Sequence, residues 1–271
     1  MRRLFRNIGL LAGIVPADIR RKEGAAMDEV ATLADAWLLT DDGQIAAFGG
    51  PSQALPEGVD ETVDCAGGLL MPAFCDSHTH IVYAGCRDGE FLDKINGLSY
   101  EEIAARGGGI LNSAALLHQT PEEELFRQSM ERVDEMVAQG TGAIEIKSGY
   151  GLNPVDELKM LRVIDRIKAA SPALIRSTFL GAHAVGRGYT HEAYVDAVCR
   201  MMPDAARYAD FVDIFCEQGF FTVEDAAHVL EAGLRAGLRP KIHANQLAVS
   251  GGVQVGVKYG ALSVDHLEKS G

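Results

Sequence analysis

Two histidines one residue apart, in His78-Thr79-His80, are the residues of this chain best placed to do chemistry. On an extended strand the side chains alternate, so both imidazoles leave the same face and could bind one ion. Neutral imidazole is the commonest protein ligand for zinc and related metals. H-x-H alone leaves that reading level with a pair of surface histidines at a strand tip. The setting favours ligands: the pair follows Met71-Pro-Ala-Phe-Cys-Asp-Ser and heads a series of apolar runs that end in polar or ionisable residues. Of the eight histidines, His183, His243 and His266 also close such runs. His118, His191 and His228 fall in helical or loop segments and read as surface or packing residues.

His243, ending Lys241-Ile-His-Ala-Asn, is the third candidate ligand, and His266, in Val264-Asp-His-Leu, is either a ligand or a general acid/base. A catalytic metal site keeps one position for water, whose pKa the metal brings toward neutrality. Asp265 could orient a ring, but adjacent strand residues face opposite ways, which predicts that it points outward. Arg87, in the loop after the first run, could clamp a carboxylate through two parallel bonds. Tyr150 is held between glycines just past the second run. Glu145 and Lys147 share one strand face and read as a buried ion pair. Cys216-Glu217 ends the fourth run, but no histidine-based thiol arrangement is legible, so a thiol mechanism finds no support.

The elements that must position these residues begin at Gly68. Six apolar runs, Leu69–His80, Ala143–Ser148, Ile175–His183, Phe211–Glu217, Pro240–Asn245 and Ala261–His266, alternate with amphipathic helices. Thr120-Pro121 with Glu123 predicts a capping box opening a helix to about Gln139. Asn153-Pro154 opens the next, with Val155, Leu158, Leu161 and Ile164 on one apolar stripe. Thr222 with Asp225 starts another, ending near Gly237. Apolar strands alternating with helices imply an α/β fold with a parallel sheet covered on its outer side. No G-x-G-x-x-G follows a strand, and the ionisable groups gather at strand C-terminal ends, so a TIM (β/α)8 barrel fits better than a dinucleotide-binding sheet. Six units are legible where eight close a barrel, so the chain reads as a fragment lacking about two units; a six-stranded open sheet is the rival.

Residues 1–68 read as a small β domain, with Asp41-Asp42-Gly43 turning a hairpin and residues 17–30 in a loop. A chain of 271 residues with 47% apolar content can bury a large core, here divided as 1–68 and 69–271. The net charge of -13 is spread along the chain and argues for a soluble protein without nucleic-acid or membrane partners. Five cysteines, with no C-x-x-C, read as free, mostly buried thiols in a reducing, cytoplasmic setting. No apolar stretch reaches the roughly 18 residues of a membrane span, and the start of the chain lacks a signal-peptide cleavage pattern.

Taken together, Met71–Arg87, Tyr100–Ile110, Glu145–Leu152, Thr178–Ala184, Lys241–Leu247 and Gly260–Glu268 resemble, in order, the motifs of the imidazolonepropionases of the amidohydrolase superfamily. The resemblance implies a metal-dependent amidohydrolase barrel with a small N-terminal β-sandwich domain, and hydrolysis of 4-imidazolone-5-propanoate to N-formimidoyl-L-glutamate in histidine degradation. It implies one zinc or iron ion on His78, His80 and His243, with Arg87, Tyr150, His183 and Gln246 contacting the substrate. His266 and Gln246 become the catalytic residues; some family members have glutamate at the position of Gln246. The family's further ligand, an aspartate ending the eighth strand, and the C-terminal strands of its β-sandwich are expected to be missing. The partner is thus a small molecule, and a homodimer is compatible with the same reading. Another amidohydrolase, such as a cyclic-imine deaminase, and an inactive metal-binding remnant are the alternatives.

Overall fold

The structure is a computed structural model describing residues 1–19, 21–86, 92, 95–97 and 109–269. The chain divides into two compact units, residues 1–73 and 74–271.

In the first unit, β1 (Arg2–Ala12) lies between β2 (Thr32–Asp41), antiparallel to it, and β4 (Glu61–Asp64), parallel to it. Strand β3 (Gln44–Gly49) extends the sheet beyond β2, and the short β5 (Leu69–Leu70) pairs with β1. The β2–β3 turn carries positive φ at both Asp42 (46°) and Gly43 (79°), the conformation that matches strand twist in a two-residue hairpin. Within the expected loop, Gly24–Asp28 forms one 3-10 turn.

The second unit is a parallel sheet with helices on its outside. Its strands are β6 (Phe74–Thr79), β7 (Thr141–Lys147), β8 (Leu174–Ala182), β9 (Phe211–Cys216), β10 (Arg239–Pro240), β11 (Ile242–Ala244) and β12 (Val264–His266). The order is β12-β11-β9-β8-β7-β6, with β10 beside β9. Between them run α1 (Ile110–Gln119), α2 (Glu122–Ala138), α3 (Pro154–Ala170), α4 (His191–Ala205), α5 (Val223–Arg235) and α6 (Gly252–Lys258). The sheet curls until its outer strands face each other, Asp265 on β12 touching His78 on β6. The single run expected over Leu69–His80 is divided: Pro72 lacks an amide donor, and residues on either side of it join different sheets.

Two of the predicted helix starts hold. The Asn153 side chain accepts from Asp156 N–H with Pro154 following, and Thr222 and Asp225 form a reciprocal capping box. The third does not. Thr120 closes α1 instead, its hydroxyl donating back to the Leu116 carbonyl at 2.9 Å, and α2 starts after Pro121 without a side-chain cap. The stripe on α3 also departs from expectation. Leu161 and Ile164 are fully buried, with Met160, Val163 and Ile167, but Val155 is 70% exposed. Nine residues make about two and a half turns, so Val155 and Ile164 lie on opposite faces. Cys65, Cys75, Cys199 and Cys216 are free thiols, but only Cys216 is buried; Cys75 and Cys86 are exposed, Cys75 on the outer strand β6. No helix among the described residues is long and apolar enough to cross a membrane.

Candidate functional site

On β6, Thr79 turns away from its neighbours and its hydroxyl donates to the Glu145 carbonyl at 2.6 Å. The alternation sends His78 and His80 together into the barrel, with their Nε2 atoms 3.3 Å apart. His243 arrives from β11, its ring centroid 4.5 Å from that of His78 and 5.7 Å from that of His80. One ring nitrogen from each of the three lies within 4.8 Å of the others, the spread of donors around a single ion.

The donors fit a metal chemically. His243 Nε2 is buried without a hydrogen-bond partner among the described residues, a costly condition that coordination would relieve. Burial, with His183 and His243 beside it, pushes His80 well below the usual imidazole range, and burial lowers His243 as well. Both rings therefore present lone pairs at neutral pH, the form a metal requires.

Carboxylates stand behind these rings. Asp265 Oδ2 accepts from His78 Nδ1–H at 2.8 Å, which leaves the lone pair on Nε2 facing His80. Asp213 Oδ2 lies 2.9 Å from His243 Nδ1, while its Oδ1 accepts the Ile214 and His243 amides at 2.7 and 3.1 Å. Two buried ammonium groups hold the carboxylates. Lys147 Nζ is 2.8 Å from Glu145, 2.8 Å from Asp213 and 3.3 Å from Asp265, and Lys241 Nζ is 3.0 Å from Glu145 and 3.5 Å from Asp265. Burial opposes ionisation of Asp213, but His243 and Lys147 outweigh it and hold the carboxyl well below its usual range. Burial likewise works against the charge on Lys147; Asp213 and Glu145 outweigh it and raise its pKa. Asp213 and Asp265 also group with His243 as oxygen donors, but these oxygens are already taken by lysines and ring nitrogens.

The outward Asp265 predicted by alternation is thereby corrected. The backbone leaves the extended region immediately after it, with φ +83° at His266 and +66° at Leu267. Strand alternation ends there, so both Asp265 and His266 reach the centre. The His266 ring lies 5.1 Å from His78 and 5.0 Å from His243, with Nδ1 3.3 Å from Glu268.

Beyond β7 and β8, the His183 ring stacks on His80 at 5.2 Å and an interplanar angle of 17°. Its Nδ1 donates to the Gly149 carbonyl at 3.0 Å, so Nε2 carries the lone pair. Burial, followed by the neighbouring His243, pulls its pKa down to about 3. The Tyr150 ring lies 5.6 Å from His183 and 5.8 Å from His80. Gln246 follows β11, its backbone amide held at 2.6 Å by Glu217, which also accepts from Ala248. Arg87 lies outside the described residues. Burial raises the Cys216 thiol to about 11, which keeps it protonated and leaves a thiol mechanism without a nucleophile.

The sequence reading passed over Asp213, Lys241 and Glu157. The first two carried a signal, each being a charge inside an apolar run, Phe211-Val-Asp-Ile-Phe and Pro240-Lys-Ile. Glu157 carried none, since an acid in a first helical turn is ordinary.

No protein-family model matches the chain. Among curated proteins, the imidazolonepropionase of Flavobacterium johnsoniae is 50% identical over 271 residues, covering 98% of this chain and 66% of that protein. That of Christiangramia forsetii is 49% identical over 270 residues, with the same two shares. The chain thus spans a little under two thirds of the length of these relatives. Among solved structures, 5-methylcytosine deaminase from Klebsiella pneumoniae liganded with 5-fluorocytosine matches with a TM-score of 0.64 at 14% identity, over 96% of this chain and 55% of that one. Guanine deaminase from C. acetobutylicum with bound guanine matches with a TM-score of 0.62 at 12% identity, over 100% of this chain and 64% of that one. Atrazine chlorohydrolase from Arthrobacter aurescens TC1, a structure complexed with zinc, matches at 0.53 and 13% identity, over 96% and 56%. These likenesses show the fold alone, an α/β barrel. With half its residues shared with curated members over nearly its whole length, the chain belongs to the imidazolonepropionase family.

Proposed function

We propose that this chain carries the metal centre and much of the substrate site of an enzyme hydrolysing 4-imidazolone-5-propanoate to N-formimidoyl-L-glutamate, a step of histidine degradation. The observation that carries the reading is the convergence of His78, His80 and His243 within 4.8 Å, flanked by His183 and Tyr150. These three histidines would hold one zinc or iron ion, imidazole being suited to either. Once bound, the ion supplies Lewis acidity toward the ring carbonyl and a water deprotonated near neutral pH.

The remaining work falls to side chains. Water adds across the carbonyl carbon–nitrogen bond of the ring: the carbon keeps the oxygen as a new carboxylate, and the nitrogen takes the proton. His266, within ring contact of two candidate ligands, is the group we assign to carry that proton. Gln246 serves as its catalytic companion by orienting the reacting atoms, because an amide does not titrate at these pH values. Tyr150 and neutral His183 contact the imidazolone ring, and Arg87 pairs with the propanoate carboxylate. The free thiols of Cys65, Cys75, Cys199 and Cys216 suit a reducing, cytoplasmic setting.

The test is to load the protein with zinc or iron and follow loss of imidazolonepropanoate absorbance together with formation of N-formimidoyl-L-glutamate. It is run on this chain and on a fusion supplying the part of the Flavobacterium johnsoniae relative that the chain does not span. Turnover by either supports the assignment; stoichiometric metal with turnover by neither overturns it.

A further inference from the structure

Glu157 lies in the first turn of α3 with no exposed surface. Its neighbour Asp156 is tied to His118 at 2.7 Å and to Lys159 at 3.0 Å. Glu157 instead binds backbone. Its Oε2 accepts the Gly149 amide at 3.0 Å, and its Oε1 accepts the Gly151 and Leu152 amides at 2.7 and 3.0 Å. The Ser148 hydroxyl bonds to it as well, while Ser148 Oγ accepts the Leu180 amide from β8.

These amides bracket Tyr150, and the carbonyl of Gly149 is the one that fixes His183 Nδ1. A single buried carboxylate thus holds the peptide groups on both sides of Tyr150 and, one bond further, the tautomer of His183. The loop is strained and tight. Gly149 has φ +117°, and a Cβ there would fall 2.9 Å from His183 Nδ1; Leu152 has φ +52°; a Cβ on Gly151 would fall 2.3 Å from Glu157 N. Left-handed backbone at a non-glycine residue such as Leu152 persists only where its surroundings over-determine it, and three charge-assisted bonds do so here. Burial pushes the carboxyl up to about 6 against the pull of those bonds. Keeping such a costly group behind this loop is explained if the loop must be placed accurately.

We propose that Glu157 is a positioning residue of the substrate site, acting through the Gly149–Leu152 loop to set Tyr150 and His183. The substrate named in the test rests on the reaction proposed above. Glu157→Gln keeps the shape but removes the charge and turns an NH2 toward a backbone N–H. The variant should bind metal in unchanged stoichiometry. Its Gly149, Gly151 and Leu152 amides should exchange with solvent at least about tenfold faster, while those of α4 and α5 stay as they were.

With imidazolonepropanoate, KM should rise about tenfold or more with a smaller change in kcat. In a double-mutant cycle with Tyr150→Phe, the two losses should combine to clearly less than their product, because the clasp acts through what Tyr150 delivers. Unchanged exchange at the three amides, or losses that multiply, would overturn the proposal. Should Glu157→Gln fail to fold, Ser148→Ala removes one bond to the carboxylate and is expected to raise exchange at the same amides; no rise there overturns it too. The exchange arm needs no substrate. Absence of turnover in the metal-loaded wild type would count against the reaction alone, and the clasp would then be judged by exchange and by whether His183 keeps its protected Nδ1 proton.

Discussion

At the scale of the residue, what matters is how each ligand imidazole is aimed. His78 has Asp265 behind it at 2.8 Å, and His243 has Asp213 at 2.9 Å. Carboxylates in this position fix the tautomer and raise the basicity of a ligand ring. Three carboxylates, on Glu145, Asp213 and Asp265, face two ammonium groups, on Lys147 and Lys241, so the tier under the histidines carries an excess negative charge that favours a cation above it. Asp265→Asn retains an acceptor for His78 Nδ1–H and deletes only the charge. It should weaken metal affinity about 10- to 100-fold, the usual cost of losing such a partner. Competition against a chelator of known affinity measures this, and affinity equal to that of the wild type would refute the role given to Asp265.

At the scale of the element, the helix starts rank the caps. Thr222 and Asp225 satisfy each other's orphan groups, so Thr222→Ala should cost about 1 kcal/mol and lower Tm by roughly 2–4 °C. Thr120 bonds backward to Leu116 and caps nothing in α2, so Thr120→Ala should cost less than half as much; equal losses on thermal melting would contradict the assignment. The same contrast marks what was legible beforehand. His78, His80, His183 and His243 could be found because parallel strands end at one face and strand alternation holds up to those ends. Asp265 could not be oriented because the rule lapses where His266 takes φ +83°. The α3 stripe went astray at Val155 because spacing by threes drifts steadily around a helix of about 3.6 residues per turn. Asp213 and Lys241 bind across strands, pairings that follow from the curl of the sheet, which local sequence does not encode; Glu157 binds back to the loop it follows, with no recognisable motif to mark it.

At the scale of the whole molecule, the two units have separate hydrophobic cores. In residues 1–73, Ile8, Leu11, Ala36 and Leu38 form one cluster and Leu4, Trp37 and Leu39 another. In residues 74–271 a single larger core runs from Ile81 to Ile242. Every candidate metal ligand, every member of the ion-pair tier and all six described α-helices belong to the second unit. A ligand stabilises only the cooperative unit that binds it, by about 2.7 kcal/mol at one hundred times its Kd. Nature has supplied a separate reporter for each unit. The only tryptophan, Trp37, is buried in the first, whereas far-UV circular dichroism at 222 nm follows the helices of the second. Saturating zinc should therefore raise the midpoint of the helical transition in urea and leave the Trp37 fluorescence transition where it stands, and EDTA should reverse the shift. If both transitions moved together, the two cores would form one cooperative unit, and the metal's stabilisation would extend to the N-terminal sheet.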